Sequence, residues 1–221
     1  MNIAVILAGC GRLDGSEIHE SVLTLLSIKQ LGANYQCFSL DAPQEHVSDH
    51  LSGDIISNES RNMLIESARI ARGDVVPLKN LNIKDFDALI IPGGNGVAYN
   101  LFDYAIKGEN FSVNQTMKNT CIAFSHATKP VGFICIAPVM IPKIYTDKVT
   151  LTIGNDSDTA NLINKLGGTH KNCKVDEICV DTTHKIVSTP AYMLANNILE
   201  AYSGIFKLVE KVIELAPRKS I

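Results

Sequence analysis

Short apolar runs alternate with amphipathic stretches along most of the chain. Ile3 to Leu7 is continuously apolar, which predicts a strand covered on both faces. A polar, Gly-rich segment follows from Gly9 to Ser16. Ile18, Val22, Leu25 and Leu26 then recur at helical spacing, and Gly32 closes that helix. Tyr35 to Leu40 reads as a second strand, Ser60 to Ala71 as a helix, and Ala88 to Ile91 as a buried strand closed by Pro92-Gly93-Gly94. Val113 to Ala127 is predicted helical, Val131 to Ile134 a strand, Val149 to Ile153 another strand, and Thr159 to Leu166 a short helix. Ile178 to Val180 and Ile186 to Ser188 form a strand pair across Asp181 to His184. A helical stripe of Ile198, Ala201, Ile205, Leu208, Val209 and Val212 marks a last helix over Leu194 to Leu215.

This β–α alternation predicts a mostly parallel sheet with helices on both faces. Ligands of such sheets sit at the carboxyl ends of the strands. Three loops qualify: Gly9 to Glu17, Pro92 to Gly96, and Cys135 with the residues after it. With 221 residues, no repeat and no linker, the chain suits a single domain over 1–221.

Composition narrows the classes. Hydrophobic residues make up 46% and charged residues 19%, enough for a large core. The net charge is −3 and no basic stripe appears, which argues against nucleic-acid binding. No apolar run is long enough to span a membrane. The first residues read as a strand and not as a leader, so the expected compartment is the cytoplasm, with reduced thiols. The six cysteines form no C-x-x-C pair and no His spacing completes a metal set, so no metal is expected. Cys37, Cys121 and Cys179 lie in core-like patterns.

Cys135 differs. It ends a strand, and Pro138 suits the first turn of a helix that Pro142 must shorten. A thiol at such a turn is exposed by it, and free N–H groups at the helix start favour its thiolate. Cys135 is therefore the candidate nucleophile, with a pKa expected below the free-cysteine value; the plain alternative is a buried structural thiol. Glu17, beside Ser16 at the start of the first helix, is a candidate proton carrier from a loop at the same sheet edge. Its plain alternative is that Ser16 caps the helix and Glu17 complements the dipole. Gly93 and Gly94 let backbone N–H groups approach a ligand, which suits an oxyanion site or a simple tight turn. No histidine adjoins the cysteine, since Ile136 follows it. His126 is expected at the opposite sheet edge and His184 in a hairpin turn, and the pattern does not fix the direction of His19.

Several segments then carry a family resemblance: Gly9-Cys10-Gly11, Asp14-Gly15-Ser16-Glu17-Ile18-His19-Glu20, Pro92-Gly93-Gly94, Gly132 to Pro138, Leu151 to Gly154, and Thr189 to Leu194. In order across nearly the whole chain, they resemble the ElbB (enhancing lycopene biosynthesis) group of the PfpI-like branch of class I glutamine amidotransferase-like proteins. The resemblance implies a flavodoxin-like α/β/α sandwich with Cys135 at a nucleophile elbow. It maps the superfamily's acidic partner onto Glu17, and an oxyanion site onto Gly93 or Gly94 and the N–H of Ile136. It implies glutathione-independent glyoxalase chemistry, glyoxal to glycolate, with no cofactor. A small aldehyde is the implied substrate, and a second copy of the chain is an admissible partner. Many PfpI-like members carry a histidine directly after the cysteine; Ile136 stands there instead, which weighs against amidase and protease activity. A redox-sensing protein using the same thiol is the alternative of another class.

Overall fold

The structure is a computed structural model and describes residues 1–217. Seven strands form the main sheet: β1 (Asn2–Leu7), β2 (Asn34–Ser39), β3 (Val75–Pro77), β4 (Ala88–Ile91), β5 (Val131–Ile134), β8 (Cys179–Asp181) and β9 (Ile186–Thr189). Their spatial order is β3-β2-β1-β4-β5-β9-β8. All pairings are parallel except β8 with β9, which is the hairpin expected from its short turn. The helices are α1 (Ile18–Gln30), α2 (Met63–Ile70), α3 (Asn95–Asn100), α4 (Tyr104–Lys107), α5 (Gln115–His126), α6 (Ile141–Ile144), α7 (Ser157–Lys165) and α8 (Ile198–Leu215). A separate ribbon pairs β6 (Thr150–Leu151) with β7 (Thr169–His170). This is the expected three-layer α/β/α sandwich.

Alternation along the strands builds two cores. Ile3, Val5 and Leu7 face a cluster with Leu23, Ile28, Ile205, Leu208 and Val212, from α1 and α8. Ala4 and Ile6 face the other way, toward Met117, Phe124, Met140 and Ile144. Gly132 sits where α8 crosses β5. A Cβ there would lie 2.9 Å from a Leu208 methyl and 3.2 Å from one of Val212. Gly132→Ala is therefore expected to cost about 1–2 kcal/mol by overpacking, read as a lower urea midpoint with an unchanged slope.

The structure corrects several expectations. Of the expected stripe only Leu25 is buried; Ile18, Val22 and Leu26 are 42, 48 and 45% exposed and face outward. The buried face carries Glu20, Leu23, Thr24, Ser27 and Ile28 instead. Thr24 and Ser27 satisfy their hydroxyls on the carbonyls of Glu20 and Leu23, each at 2.7 Å, so small polar residues can pack there. The segment Val149 to Ile153 holds only a two-residue strand. Side chains take over from the ladder on either side: Thr150 N–H donates to Asp181 and Thr152 N–H to Ser188. The last helix begins four residues later than expected, because the Asn197 side chain accepts from Glu200 N–H and caps it there.

Candidate functional site

The chain runs outward from β1 to β2 and β3, then returns to β4 on the other side of β1. The order reverses between β1 and β4, and ligands of open parallel sheets bind at such a reversal. The loops after β1, β4 and β5 meet there as expected. The loop after β9 joins them.

Backbone hydrogen bonds lace the first two loops together. Glu17 N–H donates to Gly93 O at 2.8 Å, and Asn95 N–H donates to Arg12 O at 2.7 Å. Gly94 has φ +115°, and a Cβ there would lie 2.5 Å from the nitrogen of Glu17. Only glycine permits that approach.

Cys135 follows β5 with φ +62°, a left-handed conformation that costs a residue with a Cβ about 1–2 kcal/mol. The sharp turn is the elbow the sequence suggested. A single 3₁₀ turn over Ala137–Met140 follows it, and α6 continues from there. Cys135 is 7% exposed, more enclosed than a surface thiol. The N–H groups of Gly94 and Ile136 hydrogen-bond its sulfur.

The carboxyl at the sulfur belongs to Glu20, not to Glu17. Glu20 is fully buried. Its Oε2 accepts from Gly93 N–H at 2.9 Å and its Oε1 from Tyr192 N–H at 3.1 Å, and its carboxyl lies beside Cys135 across Gly93. Glu17 lies one turn earlier. Its carboxylate accepts from Glu20 N–H at 2.7 Å and so caps α1, while its edge lines the cavity above the thiol. Ser16, the expected cap, is buried and accepts from Ala8 N–H at 2.8 Å. The N–H of Gly93 is committed to Glu20, so it does not serve as an oxyanion donor. The N–H groups of Gly94 and Ile136 act on the Cys135 thiol.

Burial pushes Glu20 up to about 7, with the neighbouring Glu17 charge adding to it and hydrogen bonds from Cys135, Tyr192 and Gly93 opposing it. Burial and Glu20 push the Cys135 thiol up, against the two N–H donors. The expectation of a depressed thiol pKa is thereby reversed. At neutral pH the resting pair is a thiol donating to a carboxyl poised to ionise.

Tyr192 is a site residue that periodicity did not reveal. Ala191, at φ +44°, turns the chain after β9 so that Tyr192 N–H meets Glu20. The Tyr192 hydroxyl bonds His19 Nδ1 at 2.8 Å at the cavity mouth. Two other histidines are engaged elsewhere: His170 Nε2 accepts from Ile153 N–H at 3.2 Å, and His184 Nδ1 bonds Asp181 at 3.0 Å. The cavity measures about 370 Å³ and is lined by Arg12, Glu17, His19, Cys135, Tyr192 and Met193, among others. Among the described residues no cluster of three or more metal-ligating side chains converges, and no helix is long and apolar enough to cross a membrane.

A human protein named glutamine amidotransferase-like class 1 domain-containing protein 3, mitochondrial, is 41% identical over 222 residues, covering 96% of this chain and 82% of its own. The chain belongs to the class 1 glutamine amidotransferase-like family. No family model matches it. A solved structure from Ehrlichia chaffeensis, described as an isoprenoid biosynthesis protein with an amidotransferase-like domain, superposes with a TM-score of 0.89. It shares 38% identity over 97% of this chain and 99% of that one. Glyoxalase III from Candida albicans shares the fold with a TM-score of 0.64 at 11% identity, covering 98% of each chain. The human family member is named mitochondrial, as are its rat and zebrafish counterparts, which are named ES1 proteins. Those names overturn the expected cytoplasmic location. The sequence argument rested on the lack of a visible leader, which carries no weight against them.

Proposed function

We propose that this protein is a cofactor-independent, glutathione-independent glyoxalase for small 2-oxoaldehydes, of the ElbB type. The observation that carries the reading is the buried Glu20 carboxyl set beside Cys135 at the elbow, the two flanking Gly93 so closely that a Cβ there would lie 2.6 Å from Cys135 Cβ and 2.8 Å from Glu20 Oε2, with no imidazole on the sulfur among the described residues. Glu20 accepts the thiol proton as sulfur adds to one carbonyl carbon. The S–C bond forms, the carbonyl π pair moves to oxygen, and the N–H groups of Gly94 and Ile136 hold that oxygen until it is protonated. Glu20 hands the thiol proton to that oxygen and, again a carboxylate, removes the C–H proton of the hemithioacetal carbon; the freed pair forms the C–C double bond of an enediolate as the neighbouring carbonyl becomes an oxyanion. Glu20 then returns the proton to the neighbouring carbon, while the hydroxyl proton on the sulfur-bearing carbon passes to the neighbouring oxygen and leaves a carbonyl beside the sulfur. The product is a thioester of the hydroxy acid. Water cleaves it, regenerating the thiol and releasing glycolate when glyoxal is the substrate. The net change is addition of one water, and no external oxidant is consumed. A carboxyl pushed up to about 7 suits both halves of the proton transfer near neutral pH.

Glutamine and peptides need a proton donor for an amine leaving group. His19 lines the cavity, but its Nδ1 bonds the Tyr192 hydroxyl at 2.8 Å and not the sulfur, and His170 and His184 bond outside it, so the geometry gives amidotransferase and protease chemistry no imidazole on the thiol. A redox-sensing role fits less well, because burial and a raised pKa suppress the thiolate that peroxides attack. Purified protein is expected to convert glyoxal to glycolate slowly and to release no ammonia from glutamine. Glutaminase activity, or no consumption of glyoxal, would overturn the reading.

A further inference from the structure

We infer that the substrate of this cavity carries an anionic group, a carboxylate or a phosphate, which Arg12 holds while Cys135 receives the carbonyl. The inference rests on the aldehyde reading above and adds the substrate class to it. Two observations carry it. The first is charge. Arg12 lines the cavity that opens onto Cys135, and no carboxylate among the described residues pairs with its guanidinium. Glu17 lines the same cavity, but its Oε2 is engaged by Glu20 N–H at 2.7 Å as the cap of α1. The backbone of Arg12 is fixed, because its carbonyl accepts from Asn95 N–H at 2.7 Å. The site therefore presents an unpaired planar cation on an anchored loop, and such a fork matches carboxylate and phosphate oxygens.

The second observation is size. A water molecule's share of liquid volume is about 30 Å³, so the four heavy atoms of glyoxal fill on the order of 100 Å³. The cavity holds about 370 Å³. A larger aldehyde, with its carbonyl at the sulfur and a charged end at Arg12, uses the remainder. Met193 and Tyr192 line the same cavity.

The test reads binding, not turnover. Cys135 is alkylated with neutral iodoacetamide in the presence of matched aldehydes, and its peptide is followed by mass spectrometry. Glyoxylate is compared with glyoxal, and glyceraldehyde 3-phosphate with glyceraldehyde. At least one anionic aldehyde is expected to protect Cys135 at a concentration roughly tenfold lower than its neutral counterpart. Which of the two does so identifies the charged group. The preference should vanish in Arg12→Gln and persist in part in Arg12→Lys, which keeps the charge without the fork. Equal protection by anionic and neutral aldehydes, or an undiminished preference in Arg12→Gln, overturns the inference. An intact Arg12-dependent preference without glyoxal turnover supports it and counts only against the glyoxalase reading. Failure of every aldehyde to protect overturns both.

Discussion

Glu20→Gln should slow glyoxal turnover by roughly 10²–10⁴-fold, the contribution of a general acid–base group, while Glu17→Gln should leave most of the rate in place. The difference follows from geometry. Glu20 is buried against the sulfur and held by two backbone N–H groups, whereas Glu17 is committed to the cap of α1. Gln keeps the shape of Glu20, but its amide cannot take the thiol proton. Cys135→Ser should remove turnover altogether, because an alcohol in this pocket is a far weaker nucleophile. Circular dichroism of each variant checks that the fold survives. Rates that fall equally in the Glu17 and Glu20 variants would mean that proton transfer is shared along the first turn of α1. A Glu20→Gln protein with full activity would falsify the assignment of Glu20.

The second large effect is on stability against pH. In the unfolded chain Glu20 titrates near its ordinary value of 4.5, while in the fold burial pushes it up to about 7. The folded state therefore binds the extra proton between these values. Glu20's contribution is most favourable below pH 4.5 and is lost as pH rises through 7, as a carboxylate forms in a dry site. The full difference corresponds to about 3 kcal/mol. Urea unfolding of the native protein at pH 5 and pH 8 should show a decline that Glu20→Gln lacks, and the comparison of the two slopes cancels every other titrating group. The variant need not be more stable at any one pH, since its amide nitrogen faces a backbone N–H that the native oxygen accepted. What matters is the slope, and parallel slopes would mean that Glu20 titrates as an exposed carboxyl does.

These expectations mark where the sequence stops. The apolar runs at Ile3 to Leu7, Ala88 to Ile91 and Val131 to Ile134 state their own burial, because a strand covered on both faces has no polar alternation to hide. Cys135 was legible as a candidate nucleophile from the strand that ends on it and the proline that follows. Gly94 was legible because a glycine pair closing a buried strand signals a close backbone approach. The class of fold, the edge of the sheet that holds the site and the thiol at its centre were thus set by local pattern alone.

Its acidic partner was not. The helix after the first loop carries apolar residues on both faces, and Ile18, Val22 and Leu26 turn out to face outward while Leu23, Leu25 and Ile28 are buried. Its other face carries Glu20 with Thr24 and Ser27, small residues whose hydroxyls are satisfied within the helix. Glu20 is buried because Gly93 and Tyr192, 73 and 172 residues away in sequence, bring N–H groups to its two oxygens. No local pattern encodes those partners. The direction of the Cys135 pKa was decided in the same way: the turn and its N–H groups were visible in the sequence, but the enclosure and the nearby carboxyl that outweigh them exist only once the loops after β1, β4, β5 and β9 have met. Local sequence placed a thiol at the turn, because a turn is a property of neighbours. Tertiary structure decided which carboxyl lies buried beside it, because burying a charge depends on what the rest of the chain folds over it.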